Sequence, residues 1–343
     1  MLETIWFILW GVLWAVYFML DGFDLGLGSL LPFLAKTDEE KRVVYNAMGP
    51  FWDGNQVWLI TAGGVTFAAF PKTYAVMFST LYTPLMLLLF ALILRGISFE
   101  FRGKEEAPAW RATWDVCMTV GSFLPALLLG VAFANLFRGL PLDSQGLFVG
   151  GFGFFDLLNP YGLLGGVLFV LCFAVHGALW LAIRSDGPVF ERAAAMARRL
   201  WPVLLLVAAA FLLASAFATR LYDNYLACPA LFVIPLLAVA GLILARVAMG
   251  RGAWWMAWGG SALAIVASTL FGVAGLYPNL MLSTLGPAQS LTAFNSASSP
   301  LTLSIMLGVA LVMVPIVIAY QAWVYVKFRG VVNPADFLHD NAY

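Results

Sequence analysis

The sequence predicts an all-α integral membrane protein of about nine transmembrane helices. Three observations lead there. The chain is 62% hydrophobic and 10% charged over 343 residues, with mean hydropathy +0.91, where a soluble domain carries about 25% charged residues. Apolar runs long enough to cross a hydrocarbon core of about 30 Å recur from end to end. Lys and Arg gather in every second connection between them.

The first predicted span, roughly 5–30, follows Met-Leu-Glu with no basic segment before it. It is too long for a signal-peptide core, so it reads as a retained helix. The second, 53–70, is short and polar at its start, with Pro50 ahead of it as a helix-initiating residue. The remaining spans fall at 74–95, 113–137, 160–183, 201–219, 228–248, 255–277 and 302–326, with no soluble domain between them. Aromatic residues near span ends (Trp6, Trp10, Trp110, Trp114, Trp201, Trp254, Trp255, and Trp323 with Tyr325) read as an interfacial belt.

The basic connections are 31–52, 95–112 (Arg95, Arg102, Lys104, Arg111), 184–200, 246–254 and the tail with Lys327 and Arg329. Their alternation places the N-terminus outside and the C-terminus, with His339, in the cytoplasm, which requires an odd number of spans. The formal net charge is zero and no basic block exists, which argues against nucleic acid as a partner. Cys117, Cys172 and Cys228 lie in apolar segments without a Cys-x-x-Cys pair and read as small buried hydrophobes.

The first span carries the chemistry. At 100° per residue Trp10, Trp14, Tyr17, Asp21, Asp24 and Gly28 share one narrow stripe. Gly22 and Gly26 form a Gly-x-x-x-Gly on a neighbouring face, which permits close helix contact. Asp21 lies about 25 Å along the helix, at the cytoplasmic end of the core. Two readings stand: interface-level acids paired with a cytoplasmic Lys or Arg, or a proton-uptake site. "GPFWDGNQVW" at 49–58 adds Asp53, Asn55 and Gln56 in the first turn of the second span. Asp53 is either a cap or dipole partner, or a third acid in a cluster of acids and amides at the same membrane face that could pass protons inward.

His176 is the one histidine inside a span and reads as a buried, hydrogen-bonded residue, since one histidine cannot supply two axial haem ligands. Glu100 and Arg102 read as interfacial charges, and "QSLTAFNSASSPLTLS" at 289–304 as an external loop that caps a bundle. No phosphate loop, Cys/His metal cluster or Ser/His/Asp arrangement occurs, so the chain owns no evident redox centre.

"LDGFDLGLG" at 20–28, "GPFWDGNQVWLITAGGVTFAAFP" at 49–71, "WDVCMTVGSFLPALLLGVAFANLFRG" at 114–139, "LLNPYGLLGG" at 157–166 and "SSPLTL" at 298–303 resemble subunit II of the cytochrome bd quinol oxidases. The resemblance runs in order from the first span to the last. It implies two four-helix bundles (1–137 and 138–277), then an external loop, a peripheral ninth helix and a cytoplasmic tail over 278–343. It implies a complex that couples quinol oxidation to reduction of O2 to water in a prokaryotic cytoplasmic membrane. Two haems b and one haem d belong to subunit I. Subunit II has no catalytic residue, metal or cofactor of its own; it forms a heterodimer with subunit I and supports it. A small single-span subunit and a structural quinone occur in some relatives. By position, Asp21, Asp24 and Asp53 match the acidic positions of a cytoplasmic proton path, and Trp58 matches a tryptophan that borders a route for O2. Phe51 stands where some relatives carry a polar residue. The alternative from the residues alone is a proton-coupled secondary transporter, disfavoured by the absence of a basic residue in mid-span. A stand-alone haem protein is disfavoured by the single buried histidine.

Overall fold

The computed structural model describes residues 1–332. His339 lies outside them. Helix α1 (Leu2–Leu34) is 33 residues long, about 50 Å, and exceeds the hydrocarbon core. Helix α2 (Asp38–Met48) is a short polar helix started by a capping box between Thr37 and Glu40. Partial burial pushes the Glu40 carboxyl up. Arg192, 2.6 Å away, and the backbone N–H groups of Lys36 and Thr37 outweigh it and hold the group below its ordinary range.

Helix α3 (Trp52–Ala69) runs back along α1 and stops before Pro71, which opens α4 (Pro71–Thr80). Helix α5 (Tyr82–Phe101) follows after a break at Leu81. Pro84 causes that break: its ring excludes the carbonyl of the residue four before it, Thr80, where α4 ends. Then come α6 (Pro108–Arg138), α7 (Pro160–Arg184), α8 (Gly187–Ala218), the one-and-a-half-turn α9 (Tyr222–Ala227), α10 (Val233–Gly250), α11 (Trp254–Leu276) and α12 (Pro300–Lys327). Asn159 caps α7 through the Gly162 N–H, and Ser299 caps α12 through that of Thr302.

Eight of these helices are long and apolar enough to cross a membrane among the described residues. They account for every predicted span but 53–70. Helix α3 covers that span with 18 residues, about 27 Å, but its polar first turn leaves it less apolar than the others. Two predicted boundaries are corrected. The span placed at 74–95 is split at Leu81 and continues to Phe101, so Arg95 lies inside a helix and not in a loop. The connection placed at 184–200 is mostly the first turns of α8, which carry Arg192, Arg198 and Arg199. The belt reading also fails for Trp6 and Trp10. Both are buried, with indole N–H groups donated to the Leu303 carbonyl and the Thr66 hydroxyl. Trp255 and Trp323 are exposed, as a belt requires, whereas Tyr325 turns inward and donates to Asn55; Cys228 is exposed where burial is predicted.

Helix α1 is the centre of the molecule. It packs against α3, α6, α7 and α11. The closest approach is the predicted glycine seam. A Cβ on Gly26 would overlap the Phe173 carbonyl of α7, and one on Gly177 would sit 2.6 Å from the Leu27 nitrogen of α1. Backbone meets backbone here, so only glycine fits at both positions.

Strands β1 (Asn279–Met281) and β2 (Leu291–Thr292) form a small antiparallel pair at the end of the molecule where α1 begins. The segment after it closes α3. Ser298 donates its hydroxyl to the Ala68 carbonyl at 2.7 Å and its N–H to Ala69 at 2.9 Å, filling two C-terminal acceptors of that helix. This is the cap predicted for 289–304. The opposite end, with α2, holds an ion-pair network. Arg102 bonds Asp115 at 2.7 Å and Asp38 at 2.6 Å, while Lys41 and Arg111 reach the same two acids. Arg102 is therefore a buried tie between α2, α5 and α6 and not an interfacial charge.

Helix α12 stands apart. It meets the body near Leu303 and again near Gln321 and Tyr325, and residues 311–320 between them are almost all exposed.

Candidate functional site

The stripe predicted on α1 is real, and it ends in two fully buried carboxylates. Asp21 and Asp24 are each 0% exposed. Their cation is Arg95 of α5, also 0% exposed. Its Nη1 lies 3.0 Å from Asp21 Oδ2 and its Nη2 2.6 Å from Asp21 Oδ1, a two-point grip on both oxygens. Nη2 also lies 3.8 Å from Asp24 Oδ2.

Asp24 is held from the other side. Asn55 of α3 donates Nδ2 to Asp24 Oδ2 at 2.8 Å and to the Leu20 carbonyl at 3.2 Å. Asn55 Oδ1 accepts from Gln321 Nε2 and from the Tyr325 hydroxyl of α12, each at 2.9 Å. Gln321 Oε1 accepts from the indole N–H of Trp58 at 2.6 Å. Asp24 Oδ1 has no hydrogen-bond partner, nor do Tyr17 Oη and Trp14 Nε1 farther up the same stripe.

The charge balance gives the site its chemistry. Two buried carboxylates face one guanidinium, and an uncompensated charge in a low-dielectric interior is costly. One proton on the pair brings the cluster to neutrality. Asp21 has both oxygens occupied by Arg95, whereas Asp24 keeps Oδ1 free to carry that proton.

Asp53 is not part of this cluster. It is exposed in the first turn of α3, and none of the ion pairs among the described residues includes it. An acid there favours the helix N-terminus. Trp58 is buried at 6% and tied to α12, and it lines neither of two apolar cavities between the helices. The larger of these, about 470 Å³, lies above the acids between α1, α3, α4, α5 and α6, with Trp10, Trp14, Phe67, Phe78 and Phe133 in its wall.

Three residues of the site, Arg95, Gln321 and Tyr325, are not assigned to it by the sequence. Arg95 sits at the end of an apolar run and passes for the first charge of a loop. The signal was the stretch "GISFEF" after it, whose Ile97, Phe99 and Phe101 carry the helix on. Asn55 reads in the sequence as one of the amides clustered with the acids at this face, and its bond to Asp24 puts it in the site. Gln321 and Tyr325 lie 266 and 270 residues from Asn55, beyond any local pattern.

His176 is hydrogen-bonded as predicted. Its Nε2 lies 3.0 Å from the Met19 carbonyl, its Nδ1 2.6 Å from the Ser261 hydroxyl, and its ring stacks on Trp258. Both nitrogens are engaged within the protein, so the residue does not fit as an axial haem ligand. No group of three or more His, Cys, Asp or Glu suited to a metal ion occurs among the described residues.

Residues 2–328 match the family described as cytochrome bd terminal oxidase subunit II. The chain is 38% identical over 332 residues to the cytochrome bd ubiquinol oxidase subunit 2 of Bacillus subtilis (strain 168), covering 96% of each protein. It is 37% identical over 370 residues to the cytochrome bd-I ubiquinol oxidase subunit 2 of Escherichia coli (strain K12), covering 98% of this chain and 96% of that one. In fold it is similar to a chain of the bd oxidase from Geobacillus thermodenitrificans, with TM-score 0.74 at 19% identity over 95% of this chain and 98% of the other.

Proposed function

Since the chain belongs to the cytochrome bd terminal oxidase subunit II family, a component of a membrane quinol:O2 oxidoreductase, we propose that it supports a haem-bearing subunit I and leads protons toward it. The haems b and d are held by subunit I, and quinol is oxidised there. The chain lies in the bacterial inner membrane with its N-terminus outside and the α2 end in the cytoplasm, divided as 1–137, 138–277 and 278–343. The basic residues near the α2 end support that polarity. The cavity of about 470 Å³ is lined by aromatic and aliphatic side chains suited to the isoprenoid tail of a structural quinone.

The buried pair Asp21 and Asp24 on the single cation Arg95 carries the proton reading. Asp53 stands exposed at the cytoplasmic mouth. Asn55 links α3 to Asp24, and Asp24 Oδ1 takes up the proton. From there Tyr17 and Trp14 continue the polar stripe along α1 toward the cavity. This chain's part is to accept, hold and release protons; the haems supply the redox chemistry.

The test is quinol oxidation and proton uptake by the purified complex carrying Asp24→Asn. Asparagine keeps the size and accepts from Asn55 but cannot carry the proton. Turnover and proton uptake are expected to fall about tenfold or more, the scale of a lost proton-transfer group, with haem content at the parent level. Asp53→Asn should cost less, because water replaces an exposed group. Parent-like turnover and uptake in Asp24→Asn would sink the proton reading. A cytoplasm-active reporter fused after Tyr343 should be active, and activity confined to the external side would overturn the polarity.

A further inference from the structure

The series of hydrogen bonds from α12 to Asp24 has a direction. An indole N–H can only donate, so Trp58 requires Gln321 to present Oε1. Gln321 Nε2 then faces Asn55, which must answer with Oδ1. Asn55 Nδ2 is thereby turned to Asp24 Oδ2 and the Leu20 carbonyl. The Leu20 carbonyl can only accept, so both ends of the series demand the same polarity. Tyr325 adds a second donor on Asn55 Oδ1.

We infer that Trp58, Gln321 and Tyr325 are positioning residues that hold the Asn55 N–H against Asp24 Oδ2 and so reserve Asp24 Oδ1 for the proton. The inference rests on the proton reading above. It makes α12, otherwise bare along its middle, part of the site. It also gives Trp58 a task distinct from lining a route for O2. The charged and titratable groups around Asp24 are Asp21 and Tyr17 of α1, Arg95 of α5 and Tyr325 of α12. Of the oxygens in the acid pair, only Asp24 Oδ1 lacks a bond from them or from Asn55.

Each α12 donor is backed by the other. Gln321→Met or Tyr325→Phe leaves Asn55 Oδ1 one donor; the double variant leaves it none, buried, and the amide is then held from the Leu20 and Asp24 side alone. The losses should therefore exceed the product of the single effects. Proton uptake by the purified complex should slow less than about twofold in each single variant and about five- to tenfold in the double, the scale of one buried hydrogen bond.

The readout that a merely structural role would not move is the carboxyl C=O band of Asp24 in a pH-difference infrared spectrum, identified by its loss in Asp24→Asn. That band should shift and broaden in the double variant, with haem content unchanged. An Asp24 band at the parent position in the double variant overturns the inference, and so does the absence of any Asp24 carboxyl band in the parent. Should the double variant fail to assemble, the single variants decide: a shifted band in either supports the inference, and parent bands in both overturn it. The two claims fail separately. Parent-like turnover in Asp24→Asn removes the proton path, while the band alone decides the positioning.

Discussion

Replacing Arg95 by methionine is expected to destabilise the chain by about 3–5 kcal/mol, the cost of stripping a buried carboxylate of its partner. Asp21 would lose both of its hydrogen bonds and Asp24 its nearby cation, in a site with no exposed surface. Methionine fills the volume, so the loss is electrostatic. Arg95→Lys should recover only part of it, because an ammonium cannot grip both oxygens of Asp21 at once. The measurement is thermal unfolding of the detergent-solubilised complex, with the yield of haem-loaded complex beside it. Arg95→Met combined with Asp21→Asn should be more stable than Arg95→Met alone, since it removes the stranded charge of the acid pair. Unfolding of Arg95→Met at the parent temperature would show that the pair is not held by Arg95.

Gly26→Val should be the more disruptive packing change. Its side chain would collide with the backbone of Phe173 and Ala174, which cannot rotate away, so α1 and α7 must separate. Overpacking of this kind costs about 1–3 kcal/mol where side chains can yield, and a backbone contact places Gly26 at or above the top of that range. Gly308→Ala on α12 is the control. Nothing lies within 4 Å of its added carbon, and alanine favours the helix, so stability should hold or rise slightly. Equal unfolding temperatures for the two variants would count against the seam.

The membrane class, nearly all spans, the α1 stripe and the glycine seam were legible in the sequence because each is written locally. Length, apolarity and a 3.6-residue period suffice for them. Arg95 was misread because a hydropathy scan ends a span at the first charge, whereas a buried salt bridge lets the helix run on to Phe101. Asp53 was grouped with Asp21 and Asp24 by nearness in sequence and chemistry. It lies two residues before Asn55, roughly 200° around the helix, so when Asn55 faces α1 Asp53 turns outward. Gln321 goes unread and Tyr325 reads as an interfacial anchor because nothing in a mostly apolar span says which distant helix its few polar groups will meet.

The central place of α1 has a consequence for how the chain is made. Asp21 leaves the ribosome 74 residues before Arg95. At synthesis rates of about 5–20 residues per second the carboxylates wait roughly 4–15 s for their cation. During that time neither acid can settle in hydrocarbon as a bare charge. Helix α1 must therefore stay at the insertion machinery or the headgroup boundary, or enter with its acids protonated, until α5 arrives. The Asn55 amide comes 31 residues after Asp24 and is the first partner the pair can meet. The helix that is synthesised first is thus among the last to be fully docked, and the order of insertion is set by the spacing of opposite charges along the chain.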